Sequence, residues 1–217
     1  MAPTRTRERP PQPRKREATR ARLVAAASEA LLAGGGDFEM SQVARIADVS
    51  DGLPYHHFGS KAGALSAVVD DFYDRYMAVV NQPRGGSRPW PEREFERLQA
   101  WLAFLYEERL APIVLGRMGR TVQVAGLEMA RQDQLIALAR RNIELGQRAG
   151  DIAPSIDAGI AAAAIIGAIS QAAIQAFQAP EPPEPSVLTA QLWGLIAGAL
   201  GLPTRDPSSS QSKTRAD

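Results

Sequence analysis

The sequence predicts an all-α fold of about nine helices: a three-helix head built around a helix-turn-helix, joined by a long helix to a C-terminal helical bundle. Three observations carry that expectation. Apolar residues recur at helical spacing along most of the chain, and no segment alternates apolar and polar as a strand would. Breakers at 34–36 (GGG), 81–91 (NQPRGGSRPWP) and 179–185 (APEPPEP) divide the periodic stretches into helix-sized pieces. Finally, residues 43–65, VARIADVSDGLPYHHFGSKAGAL, read as two short helices around a tight corner, followed by the start of a longer helix.

Composition narrows the class before any element is placed. The 217 residues are 45% hydrophobic and 23% charged, which is the composition of a globular protein with a substantial core. Cysteine is absent, which excludes disulfides and thiolate metal sites, and the Arg- and Pro-rich N-terminus has no apolar run of a signal peptide. A cytoplasmic protein is the expectation. Net charge is only +1, but it is unevenly spread. Residues 1–22 hold Arg5, Arg7, Arg9, Arg14, Lys15, Arg16, Arg20 and Arg22 against Glu8 and Glu17. Residues 37–61 hold Arg45 and Lys61 against Asp37, Glu39, Asp48 and Asp51. Attraction to a polyanion therefore belongs to the N-terminal arm, and the helix-turn-helix itself is mildly acidic.

Taken in order, residues 1–16 form a disordered basic arm, too rich in proline and charge to pack; it is either a solubilising tail or a phosphate-contacting arm. Residues 17–64 form the head. Its first helix, 14–33, points Leu23, Ala26, Ala27, Ala30 and Leu31 inward and stops at Gly34-Gly35-Gly36. The second helix begins at Ser41 and buries Val43, Ala44 and Ala47. Asp48 stands at the reversal because aspartate tolerates left-handed backbone, Val49 drops into the core, and Ser50 offers an N-cap oxygen to the third helix. At about 100° per residue, Pro54 and Phe58 then face inward, Gly52, Tyr55 and His56 face outward, and Leu53 and His57 lie on a flank. Ser60 caps the fourth helix and places Lys61 in its first turn, where a cation opposes the helix dipole unless an anion such as phosphate shares the site.

These residues resemble the DNA-binding head of the TetR/AcrR family of transcriptional regulators. The family pattern is met by Val43-Ala44, Ala47-Asp48-Val49-Ser50, Tyr55-His56-His57-Phe58, Lys61 and Leu65, and the match covers about the first third of the chain. Two departures stand out: Asp48 replaces the usual turn glycine, and Pro54 occupies a usually aliphatic position, which disfavours helical geometry at Leu53 and predicts a short or displaced reading helix. The resemblance implies that Ser41, Ser50, Asp51, Gly52, Leu53, Tyr55, His56, His57 and Lys61 meet double-stranded DNA, with the Tyr55 hydroxyl on phosphate. Asp51 accepting from a cytosine amino group and Leu53 on a thymine methyl are the candidate base contacts; Asp51 is equally a plain helix-start charge. A metal reading of His56 and His57 fails, because adjacent helical side chains diverge and no cysteine or third histidine completes a site. Either histidine is otherwise an ordinary surface residue.

Residues 65–202 read as a helical ligand-binding and dimerisation domain, and 203–217 as a disordered tail. The fourth helix, 60–80, carries an apolar stripe of Leu65, Val68, Val69, Phe72, Tyr76 and Val79, and the loop at 81–91 is a candidate boundary. Helices follow at 92–107, 111–119, 122–149, 155–178 and 186–200. The uncharged run 158–179 is long enough to span a bilayer, but its alanines, Ser170, Gln171, Gln175 and Gln178 make it a poor one, and no membrane partner is expected. Gly159, Ala163 and Gly167 permit close helix approach instead, and the resemblance implies a homodimer in which they join Leu188, Leu192, Leu195 and Ile196; an intramolecular core is the competing reading. Trp101, Phe104, Met118, Gln123, Met129, Gln171, Gln175 and Phe177 are the candidates to line a cavity for a small apolar effector, although Met and aromatic stripes are more often ordinary core. No cofactor is expected. The resemblance implies a dimeric, ligand-released repressor on a pseudo-palindromic operator, with a constitutive DNA-binding regulator without ligand as the alternative; a helical-bundle enzyme is the weaker rival, because no catalytic triad, paired-carboxylate or phosphate-loop arrangement occurs.

Overall fold

A computed structural model describes residues 13–84, 88–117 and 122–203. Among these, every regular element is helical: α1 Pro13–Ala33, α2 Met40–Ile46, α3 Gly52–Phe58, α4 Lys61–Val80, α5 Trp90–Glu107, a π-helical segment Pro112–Arg117, α6 Val122–Ala149, α7 Ala158–Gln178 and α8 Pro185–Ala199. The expected arm at 1–12 and tail at 204–217 lie outside the described residues, and 13–16, expected in the arm, are helical. Each expected helix is present, with ends displaced by up to three residues. The largest displacement is at α7, which starts at Ala158 rather than 155 because the Asp157 carboxylate accepts from the Ile160 N–H at 2.8 Å and caps the helix there.

The chain divides into two compact units, Met1–Val68 and Val69–Asp217, with the division inside α4 rather than at the 81–91 loop. In the first unit, Leu23, Ala27, Leu31, Phe38, Met40, Val43, Ala44, Ala64 and Val68 are buried, so α1, α2 and the start of α4 share one small core. Its corners depend on glycine. A Cβ on Gly34 would stand 1.9 Å from the Asp37 carbonyl oxygen, and one on Gly63 would stand 2.1 Å from that of Phe58. Backbone cannot step aside as a side-chain tip can, so both positions exclude a side chain.

In the second unit, α4 buries Val69, Phe72, Tyr73, Tyr76 and Val80. The stripe is thus one residue displaced at both ends from that expected, since Ala64 and Val80 are buried while Leu65 and Val79 are half-buried; steps of three and four both keep a side chain on one helix face. The Phe72 and Tyr76 rings pack on Phe104 at 5.8 and 6.1 Å between centroids. Trp90 holds the start of α5 in place, its backbone N–H donating to Asp151 and its indole N–H to the Asn142 carbonyl, each at 2.9 Å. On α8, Trp193 meets Phe95 edge-on at 5.5 Å. Burying side chains of this kind contributes about 1.5–3 kcal/mol each, and α8 owes its position to them.

One described helix, Ala158–Gln178, is long and apolar enough to cross a membrane, and only 22% of that stretch is buried within the chain. It packs against α6, α8 and the π-helical segment.

Candidate nucleic-acid interface and effector cavity

The corner between α2 and α3 is built by hydrogen bonds that reverse the chain in three residues. The Ala47 N–H donates to Val43 at 2.9 Å, that of Asp48 to Arg45 at 3.2 Å and that of Val49 to Ala44 at 3.0 Å. Asp48 takes φ of +51°, the left-handed conformation that ends such a helix, and it is the one described non-glycine residue to do so. Val49 is half-buried rather than inside the core. Ser50 does not cap α3 with its side chain: Asp51 is already in helical conformation, and the Leu53 N–H is taken by the Ser50 backbone carbonyl at 3.0 Å.

Pro54 is buried on α3, whereas Gly52, Tyr55 and His56 are exposed and Leu53, His57 and Phe58 are half-buried. Tyr55 leaves 52% of its surface open. The helix lasts seven residues and is closed by Gly59, at φ +75°, whose N–H donates to Tyr55 at 2.8 Å. Ser41 is exposed on the first turn of α2, and Ser50 and Asp51 are exposed at the corner. A short helix locked from behind by a proline, with an aromatic hydroxyl and an imidazole outward, has the dimensions to enter a major groove about 12 Å wide.

Charge around this face differs from expectation at one residue. Ser60 accepts from the Gly63 N–H at 3.1 Å and caps α4, but the anion beside Lys61 comes from the chain itself, Asp37 at 2.8 Å and Glu39 at 3.5 Å. The hydrogen bond that the Lys61 ammonium donates to Asp37 holds the Lys61 pKa above its ordinary value, and the same contact holds that of the Asp37 carboxyl below its own. The pair is largely exposed, so a phosphate can exchange with the carboxylates at little cost. Beyond the far end of α3, the Arg20 guanidinium lies over the Phe58 ring at 5.8 Å. Partial burial depresses the His57 pKa, and the charges of His56, Arg16 and Arg20 add to the effect, so this imidazole is neutral near pH 7.

The second unit holds a cavity of about 60 Å³ lined by residues from α4, α5, α6 and α7. Of the described residues expected there, Trp101 lines it, whereas Phe104, Phe177, Gln171, Gln175 and Met129 do not. Phe104 packs into the α4 aromatic cluster, and Phe177 stacks on Tyr106 at 4.8 Å. Gln171 and Gln175 are exposed on α7, and Met129 is 66% exposed on α6. Met118 and the Gln123 side chain lie outside the described residues.

The lining that sequence reading missed includes Tyr76, Glu94, Arg97, Leu135, Asn142, Ile166 and Ile169. Its one available signal was a polar atom at a core-facing position, as with the Tyr76 hydroxyl in an otherwise aliphatic stripe. Arg97 pairs with Glu94 at 3.1 Å and donates to the Val80 carbonyl, and Asn142 donates to the same Glu94 carboxylate. The wall is thus internally neutralised. Burial pushes the Tyr76 pKa well up, with Tyr73 adding to the shift and Trp101 opposing it, so the hydroxyl keeps its proton.

The expected dimer residues separate into two groups. Leu188, Leu192 and Ile196 are 4%, 1% and 4% exposed and belong to the chain's own core, because that face of α8 packs on α5 and α7. Leu195 remains open, as does Ala163, and Gly159 and Gly167 are half-buried. A further run at 160, 164, 168, 171 and 175 on α7 and at 187, 191 and 195 on α8 is exposed and carries no charge.

Searched by sequence, the chain matches no protein-family model and no curated relative. By structure it is similar to a TetR-family transcriptional regulator from Pectobacterium atrosepticum, 28% identical, with 89% of this chain and 100% of that one covered at a TM-score of 0.69. GusR of Salmonella enterica is 21% identical over 89% of this chain and 100% of its own, with a TM-score of 0.70. RolR in complex with resorcinol is 19% identical over 94% and 97%, with a TM-score of 0.61. Structural neighbours across most of the chain are thus TetR-family transcriptional regulators, and the fold described here, nine helical segments without a strand among the described residues, is TetR-like.

Proposed function

We propose that this protein is a ligand-responsive transcriptional regulator that binds a pseudo-palindromic DNA operator as a homodimer and represses until a small molecule in the second unit releases it. The observation that carries the reading is α3: seven residues ended by Gly59, with Pro54 inward and Gly52, Tyr55 and His56 outward. Ser41 and Ser50 offer hydroxyls to phosphate, Lys61 exchanges its carboxylates for phosphate, and Asp51, Leu53 and His57 border the base-reading face. The basic residues of the arm supply the sequence-independent attraction that the acidic corner lacks.

The dimer reading rests on the uncharged exposed faces of α7 and α8, where Ile160 is 73% and Leu195 50% exposed beside Ala163, Ala164 and Gly167. Small residues there let two helices approach closely, and covering this surface twice explains its composition. The effector reading rests on the cavity around Trp101. RolR, a structural neighbour, is seen with resorcinol, a small aromatic molecule. Any effector of this chain acts by as much as its affinities for the DNA-competent and released states differ.

Selection from random DNA followed by mobility-shift titration tests the proposal. The recovered sites should contain two half-sites about 34–36 Å apart, bound by two chains. Tyr55→Phe should lower affinity about tenfold, the worth of one hydrogen bond to a charged group, without changing the melting temperature. Selection of a single half-site bound by one chain, or an unaltered affinity in Tyr55→Phe, rejects it.

A further inference from the structure

The cavity contains an unanswered donor. Trp101 is 4% exposed, and its indole Nε1 is buried with no acceptor at full hydrogen-bond geometry; the Tyr76 hydroxyl lies near enough to this N–H for the contact to act against burial on the phenol pKa, and the Tyr76 ring stands edge-on to the indole at 6.3 Å. Leaving a buried N–H unmatched is costly, so such groups call for an explanation. The Trp90 indole differs, because it donates to the Asn142 carbonyl at 2.9 Å. The donor in question is therefore the one that lines the empty space.

The rest of the lining defines what answers it. Glu94 and Arg97 neutralise each other, Arg97 is further held by the Val80 carbonyl, and the Asn142 amide is spent on Glu94. A second full charge would enter the cavity without a free counter-charge among these groups, and its lost hydration would go unrepaid. Val80, Leu98, Leu135, Leu138, Ile166 and Ile169 make the remaining surface apolar. At about 10–15 Å³ per water-sized occupant, about 60 Å³ admits on the order of four to six non-hydrogen atoms.

We infer that the cavity takes the carbonyl end of a small uncharged molecule, its oxygen accepting from Trp101 Nε1 and its hydrocarbon lying against the leucines and isoleucines. Ketones, lactones and neutral amides of about one small ring belong to this class; carboxylates and plain hydrocarbons do not. This assignment deepens the effector reading above and rests on it for its regulatory meaning, but binding itself is independent of DNA.

Cyclopentanone, methylcyclopentane and cyclopropanecarboxylate, each of six non-hydrogen atoms, are the probes, titrated into the full-length protein while the tryptophan indole N–H resonances are followed by NMR. Trp101→Phe, which keeps an aromatic ring and removes the donor, identifies the Trp101 signal by its disappearance. Cyclopentanone should shift that signal and saturate, methylcyclopentane should bind at least tenfold more weakly, and cyclopropanecarboxylate should not compete. In Trp101→Phe the preference for the ketone over the hydrocarbon should fall about tenfold, with Trp90 and Trp193 resonances in place as the sign of an intact fold. A motionless Trp101 signal, or a carboxylate that binds more tightly than the ketone, overturns the assignment. Operator binding, measured separately without any probe, decides the regulator reading, so the two can fail independently.

Discussion

The two units of this protein use glycine and buried polar groups in opposite ways. In the first unit, glycine sits where backbone meets backbone: Gly63 against the Phe58 carbonyl and Gly34 against that of Asp37. In the second, Gly146 faces the side chains of Ile152 at 2.6 Å and Trp90 at 3.0 Å, and the Ile152 end can rotate away. The first unit is also nearly free of buried polar side chains, whereas the second keeps a tyrosine hydroxyl and an unmatched indole N–H around an open space. One unit is determined by steric exclusion and has a single way to fold its corner. The other has slack, and slack is what a unit must retain if a ligand is to rearrange it.

The sharpest way to break that contrast is a matched pair of substitutions. Gly63→Ala should cost about 3 kcal/mol and loosen α3, read as faster amide exchange at Tyr55 to Phe58, because a carbonyl oxygen 2.1 Å from the new methyl cannot yield. Gly146→Ala should cost about 1–2 kcal/mol, offset in part by better helix propensity, since Ile152 can repack. Equal costs in chemical denaturation would show that the units do not differ in this way.

Asp48 sharpens the comparison from the other side, as the one strained residue of the sterically strict unit. Asp48→Gly should stabilise that unit by about 0.5 kcal/mol, left-handed strain being relieved but partly offset by the greater freedom of glycine in the unfolded chain. It also removes a negative charge beside α3, so DNA affinity should rise more at low salt than at high. A loss of stability would mean that the Asp48 side chain holds the corner by a contact beyond its backbone conformation.

The smallest effect concerns His57. Its pKa is depressed in the folded chain, so below the ordinary value of about 6.5 the unfolded state binds more protons than the folded one. Its contribution is neutral above that pH and becomes destabilising as pH falls through it. Wild-type protein should therefore lose slightly more stability than His57→Gln between pH 7.5 and 5.5, read from denaturant midpoints; a smaller wild-type loss would reverse the sign.

Local rules made the first unit readable. The stop at Gly34-Gly35-Gly36, the left-handed Asp48, the buried Pro54 and the exposed Tyr55 and His56 each follow from residue chemistry within a few positions of one another. Even there the anion at Lys61 escaped notice, because Asp37 and Glu39 are more than twenty residues away and meet it only once α2 and α4 are placed.

What this sequence determined by itself is the helical class, the order of the elements and the outward face of α3, because helical periodicity, capping and turn chemistry act over fewer than five residues. Which residues share the cavity, and which face of α8 is buried, were decided only by tertiary packing. Tyr76, Glu94, Trp101, Leu135, Asn142 and Ile166 come from four helices, and no spacing along the chain records that they meet. Leu188, Leu192 and Ile196 have the same period as a dimer stripe and as a core stripe, and only contact with α5 and α7 distinguishes the two.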